Sequence, residues 1–128
     1  MADDDFDAGM RIRSEVLGAA HVARTTAAAT DFDRDFQDFI TRYAWGSVRR
    51  RDDLTRHTRS LLTIGLLAAL GQVEELRLHI RATRNTGVSA DQIREVLLQV
   101  AVYAGVPAAN TAFREAQAVL EDMPPEET

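Results

Sequence analysis

The sequence predicts an all-α fold of about six to seven helices. Apolar residues recur at helical spacing along most of the 128 residues, and no segment alternates convincingly between apolar and polar residues as a half-buried strand does. Five of the seven glycines and the three prolines stand at or near the ends of these periodic segments, where helices end and begin. Because 14.2 kDa is the size of one domain, we expect residues 1–128 to form a single helical domain.

The first half of the chain predicts three helices. The first spans residues 6–17 and is closed by Gly18, and the second, residues 21–29, is short. The third carries four aromatic side chains at helical spacing, takes Asp31 as its N-cap and ends near Trp45. This half therefore predicts a small amphipathic assembly with conventional helix boundaries.

Charged segments flank these helices. Residues 1–5 form an acidic arm, which we expect to be flexible, as we expect for the tail at 124–128. Residues 47–54 form a charged connector with an arginine run at 49–51 beside two aspartates. Given the net charge of −5, we interpret this run as a solvated loop and not as a nucleic-acid patch.

The second half predicts four further helices with clear start and stop signals. Glycine follows the first two of them, and Ser89 and Gln92 form a capping box at the start of the third. A proline stands in the first turn of the last helix, where its missing N–H group is harmless. The expected bounds are 56–70 with Thr55 as cap, 72–86, 90–104, and from Pro107 to before Pro124.

Two residue types are absent, and each absence excludes a class of chemistry. The chain has no cysteine, which excludes disulfides, thiolate metal sites and thiol redox or nucleophilic mechanisms. It has no lysine, since all 15 basic residues are arginine, which excludes Schiff-base and lysine-anchored pyridoxal phosphate chemistry. The apolar runs, such as residues 65–71, are too short to cross a bilayer. The acidic N-terminus has no signal-peptide pattern, so we expect a cytoplasmic protein.

The segment LLTIGLLAAL, residues 61–70, is apolar around its whole circumference, and residues 96–104 are nearly so. Helices of this kind must be covered on every side. Two interpretations stay open: these are the two central helices of a monomer, or partner subunits supply part of the cover. The second makes the protein a homo-oligomer.

A polar stripe runs along the helix predicted at 72–86, between two apolar flanks. It consists of Gln72, Glu75, His79 and Thr83, so that a carboxylate and an imidazole stand one turn apart and face the interior. Such a pair can tune both pKa values for proton transfer. The alternative is a buried histidine that its carboxylate satisfies structurally. The E-x-x-x-H spacing is a weak metal signal, because no second pair of ligands accompanies it.

A second candidate site lies at residues 55–60 (TRHTRS), where a helix with an apolar remainder begins. Its free N–H groups, two arginines and His57 suit a carboxylate or phosphate. The alternative is that Arg56 and Arg59 pair on the surface with the aspartates of the preceding connector. The turn at 103–107 is first a joint between helices, with a pocket lining as the alternative.

These two constellations, in this order, resemble the carboxymuconolactone decarboxylase family of the AhpD-like helical superfamily. The resemblance rests on RHTRSLLTIGLLAALG and on ELRLHIRATRNTGVSADQIREVLLQVAVYAGVPAAN, supported by AGMRIRSEVLG and ITRYAWG. It extends from about Phe6 to Leu120 and implies an oligomeric AhpD-like bundle. Peroxidase-like members of the superfamily have a glutamate at the position of Ser60 and cysteines at those of Gln72 and Glu75. The present residues exclude their thiol chemistry.

The resemblance implies cofactor-free and metal-free decarboxylation of 4-carboxymuconolactone to 3-oxoadipate enol-lactone, in the protocatechuate branch of the β-ketoadipate pathway. The expected partners are this small dicarboxylate lactone and further copies of the chain, as a trimer or hexamer, without nucleic acid or membrane. His79, oriented by Glu75, is the expected proton donor or oxyanion partner. The substrate-binding candidates are His57, Arg59, Arg56 and Gln72, together with Arg81 and Arg84, which could serve only a neighbouring subunit's site.

Two other functions remain open from the sequence. The chain could be a non-catalytic oligomeric protein that binds a small carboxylic acid, or a decarboxylase or isomerase of a related lactone.

Overall fold

The computed structural model describes residues 4–124, and every regular element within them is helical, which confirms the all-α prediction. Eight α-helices and one π-helical segment follow one another along these residues. In chain order they are α1 Asp5–Leu17, α2 Ala19–Ala28, α3 Arg34–Ile40, the π-helical segment Thr41–Val48, α4 Arg56–Leu70, α5 Val73–Arg81, α6 Thr83–Thr86, α7 Ala90–Tyr103 and α8 Val106–Asp122.

The expected count of six to seven helices is too low because two predicted helices are divided. The helix expected at 31–45 starts as α3 and continues from Thr41 with the wider π-helical hydrogen bonding. The helix expected at 72–86 is interrupted at Ala82 and resumes as α6. At this break the Thr83 hydroxyl donates to the carbonyl of Ile80 at 2.6 Å, a side-chain bond that competes with regular helical pairing.

The chain clusters into two compact units, Met1–Arg56 and His57–Thr128. In the N-terminal unit, α1 packs against the π-helical segment, with α2 and α3 as the other helices in contact with these two. Two glycines allow the close approach: a Cβ added to Gly9 would lie 2.0 Å from the Thr41 carbonyl oxygen, and one added to Gly46 would lie 1.9 Å from that of Asp5. No side chain fits at either crossing.

Two predicted boundaries of the N-terminal unit are wrong. Residues 4 and 5 of the expected acidic arm are ordered, because Asp4 caps α1 by accepting a 2.8 Å hydrogen bond from the Asp7 backbone. Residues 1–3 lie outside the described part. Asp31 does not cap α3, which begins at Arg34; it pairs instead with the Arg34 guanidinium at 2.5 Å. The tail expected to be flexible at 125–128 also lies outside the described residues.

The arginine run is held in place more firmly than a solvated loop would be. The Arg49 guanidinium lies 4.5 Å from the centre of the Trp45 ring, a cation–π contact. Arg50 forms an ion pair of 3.6 Å with Asp5. These two guanidinium groups of the run therefore have partners within the N-terminal unit.

The C-terminal unit buries one core among α4, α5, α7 and α8, and α5 and α7 both pack against α8. Alanine recurs on the buried face of α8, which allows the neighbouring helices to approach closely. The predicted stops hold: Gly71 and Gly87 adopt φ values of +72° and +82°. The predicted capping box of Ser89 is also present. The largest core side chains are Ile64, Leu76, Ile80, Ile93 and Leu97.

Helix α4 is not covered on every side by the residues that the structure describes. It buries Ile64 and Ala68, whereas Leu62, Leu66 and Leu70 are 51%, 61% and 69% exposed. These three leucines follow one another at intervals of one turn and form a continuous apolar stripe. Between residues 4 and 124, no helix has the length and apolar character needed to cross a membrane.

Candidate functional site

The first turn of α4 brings His57 to the turn that precedes α7. The His57 Nε2 atom lies 2.9 Å from the Oε1 oxygen of Gln92, in the first turn of α7. The same oxygen accepts a 3.0 Å hydrogen bond from the backbone N–H of Ser89, as part of the capping box. His57 is thus held by the same side chain that begins α7.

One turn further along α4, a buried hydroxyl pair joins α4 to α6. The Thr86 hydroxyl donates to the Ser60 hydroxyl at 2.9 Å, and both side chains are buried. The resemblance drawn from the sequence aligns Ser60 with the glutamate of peroxidase-like members of the superfamily. Here its oxygen has a structural partner, consistent with chemistry that does not use a carboxylate at this position.

The polar stripe of the helix predicted at 72–86 faces the interior only in part. His79 is 8% exposed and Thr83 is 5% exposed, in agreement with the prediction. Gln72 and Glu75 are exposed, so the prediction that the whole stripe faces inward is wrong for the single chain. Gln72 is the N-cap of α5 and precedes its first turn, and Glu75 lies at the edge of the buried face, since the next residue, Leu76, is buried in the core.

The two arginines at the start of α4 have different surroundings. Arg56 is the last residue of the N-terminal unit, where it forms an exposed ion pair of 2.9 Å with Glu15 of α1. The alternative prediction, that Arg56 pairs with Asp52 or Asp53, is therefore wrong. Arg59 is half-buried in the C-terminal unit, and its carbonyl accepts a 2.8 Å hydrogen bond from the Thr63 hydroxyl. Both arginines lie within two residues of His57 in the first turn of α4, but only Arg59 belongs to the C-terminal unit.

The arginines of α5 and α6 face outward, as the helical arc predicts. Arg81 and Arg84 are exposed, and the Arg84 guanidinium donates to the Pro124 carbonyl. Arg77 on the same arc binds Glu115 of α8, with its Nη2 atom 2.6 Å from the carboxylate, and it links α5 to α8. Neither Arg81 nor Arg84 lies on the buried face that carries His79.

An apolar cavity of about 580 Å³ lies between α4 and α7 within the C-terminal unit. Among the described residues, its lining includes no charged side chain. Residues 103–107 join α7 to α8, as predicted, and Tyr103 and Ala104 from this turn also line the cavity. Both interpretations of the turn therefore have structural support. The lining residues are Thr58, Leu61, Leu62, Gly65, Leu66, Ala69, Val96, Gln99, Val100, Tyr103 and Ala104.

Within residues 4–124, no three histidine, aspartate or glutamate side chains cluster closely enough to bind a metal ion. The structure places the Gln92 amide beside the His57 imidazole, and helical spacing places the Glu75 carboxylate and the Thr83 hydroxyl one turn before and after His79. This donor set suits hydrogen bonding to carboxylates and oxyanions, and it suits proton transfer.

Comparison with known proteins identifies the family of the chain. Residues 34–118 match the carboxymuconolactone decarboxylase family. The chain belongs to this family. It is 48% identical over 118 residues to a 4-carboxymuconolactone decarboxylase of Acinetobacter baylyi, which covers 92% of this chain and 88% of the relative. It is 42% identical over 118 residues to a nitrosuccinic acid decarboxylase of Metarhizium robertsii, which covers 92% and 82%. A 4-carboxymuconolactone decarboxylase of Pseudomonas putida is 51% identical over 41 residues, which are 32% of this chain and 85% of that protein.

Family membership confirms the resemblance drawn from the two motifs, but two features of the site escape sequence reasoning. Gln92 is recognisable as a capping residue, yet its contact with His57 spans 35 positions and has no local signal. Thr86 looks like an ordinary helix-end residue, and nothing in the sequence indicates that it binds Ser60. Both contacts depend on how α4 packs beside the turn between α6 and α7.

Proposed function

We propose that this protein is a 4-carboxymuconolactone decarboxylase that forms 3-oxoadipate enol-lactone and CO₂ without a cofactor. The observation that carries the proposal is 48% identity, over 92% of the chain, to the Acinetobacter baylyi enzyme of that name. The high coverage matters because both motif regions and the histidines within them lie inside a match of this length. The pathway assignment, the protocatechuate branch of the β-ketoadipate pathway, follows from this substrate and product.

The substrate supplies its own electron sink, which explains how such a reaction proceeds without a cofactor. When the bond between the ring carbon and the carboxylate breaks, CO₂ leaves and the electron pair stays on the ring. The ring double bond passes this pair to the lactone carbonyl, which gives a dienolate. A proton then adds to the ring carbon next to the carbonyl, and the enol-lactone results. The protein must hold a dianion, stabilise the oxyanion and deliver one proton.

His79 is the proposed proton donor or oxyanion partner. It is the buried histidine of α5, and a buried imidazole can bind a developing oxyanion more strongly than an exposed one because water competes less. Such a donor contributes roughly 3–4 kcal/mol of transition-state stabilisation. Glu75 stands one turn earlier on the exposed side of α5. Its proposed orienting role therefore requires that an assembly partner or the substrate covers this end of the helix.

Arg59 and His57 are the proposed ligands of the acetate arm of the substrate. Arginine pairs with a carboxylate through two parallel hydrogen bonds, which suits a group that is held and not transformed. The carboxylate that leaves as CO₂ is expected to face less polar surroundings, because strong binding of the ground state would cancel the gain. Arg56 has a carboxylate partner of its own in Glu15, which makes it the weaker candidate. Gln72, Arg81 and Arg84 are exposed and would act through a neighbouring subunit.

A homo-oligomer, a trimer or hexamer, is part of the proposal. The leucine stripe of α4 and the apolar cavity beside it support it, because exposed apolar surface on this scale marks an interaction site. Because the cavity has no charged side chain in its lining, it does not suit a dianionic lactone. It suits the apolar side chains of a second copy of the chain. We propose further that the assembly is cytoplasmic and binds neither nucleic acid nor membranes.

Turnover of purified substrate tests the proposed function. The full chain is incubated with 4-carboxymuconolactone, and loss of lactone absorbance is followed together with CO₂ release. We expect both in equal amounts, and we expect them to persist with a chelator present, since the mechanism uses no metal. Binding of the lactone without CO₂ release would replace the enzyme with the carboxylic-acid-binding alternative. Activity that a chelator abolishes would overturn the metal-free mechanism.

Nitrosuccinate is the second candidate substrate, because a relative with 42% identity is named a nitrosuccinic acid decarboxylase. Its nitro group can accept the electron pair that CO₂ leaves behind, so the same protein groups would serve. Parallel assays with the two acids compare kcat/KM, and we expect the lactone to be preferred. Preference for nitrosuccinate would reassign the substrate while keeping the reaction class.

A further inference from the structure

We propose that Gln92 is a positioning residue that holds the His57 imidazole with its proton on Nε2, so that Nδ1 is the nitrogen free to accept a proton. The tautomer assignment stands on geometry alone. Its consequence for turnover rests on the proposed function.

The orientation of the Gln92 amide is determined by a group whose chemistry is unambiguous. The backbone N–H of Ser89 can only donate a hydrogen bond, and it lies 3.0 Å from the Gln92 side chain. The atom that faces it must therefore be the carbonyl oxygen Oε1, and not the amide nitrogen. Oxygen and nitrogen of an amide are otherwise easily exchanged, so this backbone donor removes the ambiguity.

The same oxygen determines which nitrogen of His57 carries the proton. Oε1 only accepts hydrogen bonds, and the Nε2 atom of His57 lies 2.9 Å from it. A lone pair on Nε2 would face a lone pair on the oxygen, so Nε2 must carry hydrogen. In the neutral imidazole the proton-accepting nitrogen is then Nδ1, so His57 can donate a hydrogen bond to the acetate arm only after Nδ1 has gained a proton.

The turn between α6 and α7 restrains the ring as well as the amide. Gly87 adopts a φ of +82°, and a Cβ added there would lie 4.0 Å from the Cδ2 atom of His57. Because Cδ2 and Nε2 are neighbours in the ring, one edge of the imidazole lies along this turn. The capping box thus serves two purposes: it begins α7 and it orients a histidine of the candidate site.

Nitrogen NMR of the full chain tests the tautomer without any reference to activity. Long-range ¹H–¹⁵N spectra are recorded at a pH where His57 is neutral, and His57→Asn identifies its signals among the three histidines. We expect a pyrrole-like Nε2 and a pyridine-like Nδ1. A pyridine-like Nε2 would overturn the proposal.

Three variants separate positioning from helix capping. Gln92→Leu removes the acceptor, and we expect a mixture of tautomers and a kcat lowered about 10–100-fold, by analogy with the loss of a group that orients a metal-bound histidine. Gln92→Glu keeps an acceptor and should retain the Nε2–H form. Ser89→Ala removes the serine half of the capping box but keeps the backbone donor, so tautomer and kcat should both remain.

The outcomes distinguish this inference from the proposed function. An unchanged tautomer in folded Gln92→Leu would overturn the positioning role. A tautomer that shifts while kcat stays constant would overturn only the link between His57 and turnover. If the wild-type chain does not act on the lactone at all, the proposed function fails, and the NMR result still decides the tautomer.

Discussion

The Thr86 hydroxyl donates a 2.9 Å hydrogen bond to the Ser60 hydroxyl, and both groups are buried where α4 meets α6. Because water cannot replace either partner, the bond connects these helices in a way that an exposed pair would not.

Removing this hydroxyl pair should destabilise the fold without affecting chemistry. We expect Ser60→Ala and Thr86→Val each to lower the free energy of unfolding by about 1–2 kcal/mol, because each leaves a buried partner unsatisfied. The double variant should be little worse than either single one, as measured by urea denaturation. At temperatures where all variants are folded, turnover should stay near wild type. Strictly additive losses would contradict a direct bond.

His79 should carry a large share of catalysis. We expect His79→Gln, which keeps much of the side-chain volume, to lower kcat by about 10²–10⁴-fold, the contribution of a placed general acid. Glu75→Gln should reduce kcat less, because an exposed carboxylate orients its neighbour weakly. His21→Gln in α2 is the matched control and should be silent. Near-wild-type turnover by folded His79→Gln would remove the central role of this residue.

Arg59 and Arg56 offer a matched pair for substrate binding. We expect Arg59→Ala to raise KM by about 10–100-fold, because a hydrogen bond to a charged group contributes roughly 1.5–3 kcal/mol. Arg56→Ala should change KM little and lower stability by less than about 1 kcal/mol, since it loses only an exposed pair with Glu15. Steady-state kinetics on the lactone checks both. The reverse order of effects would assign the carboxylate to Arg56.

The parts of this fold that the sequence predicts are those with local causes. Gly87 can take a positive φ, and Ser89 and Gln92 form the capping box of α7 within four residues. The start of α7 can therefore be predicted from the sequence. Asp31 and Asp33 show the limit of this reasoning. Both are acidic and near the start of α3, and only the structure shows that Asp33 accepts from Thr30 while Asp31 pairs with Arg34.

Features with distant causes could not be predicted. The π-helical segment packs where Gly46 meets the backbone of α1, 41 residues earlier, so its irregular form has no local pattern. The stripe of α5 presents a similar limit. Its periodicity correctly buries His79, but Glu75 is exposed although Leu76, the next residue in the same turn, is buried in the core. Periodicity defines the centre of a buried helix face and does not reveal how wide that face is.

The exposed leucine stripe of α4 should mediate self-association. Leu66 is 61% exposed and lines the apolar cavity, so Leu66→Glu would place a charge in an interface that requires desolvation. We expect size-exclusion chromatography with light scattering to show an oligomer for the wild type and smaller species for this variant. Leu54→Glu, an exposed leucine of the connector, should leave the mass unchanged. A wild-type chain that is monomeric at micromolar concentration would refute the assembly. An unchanged oligomer in Leu66→Glu would show that the leucine stripe of α4 is not its interface.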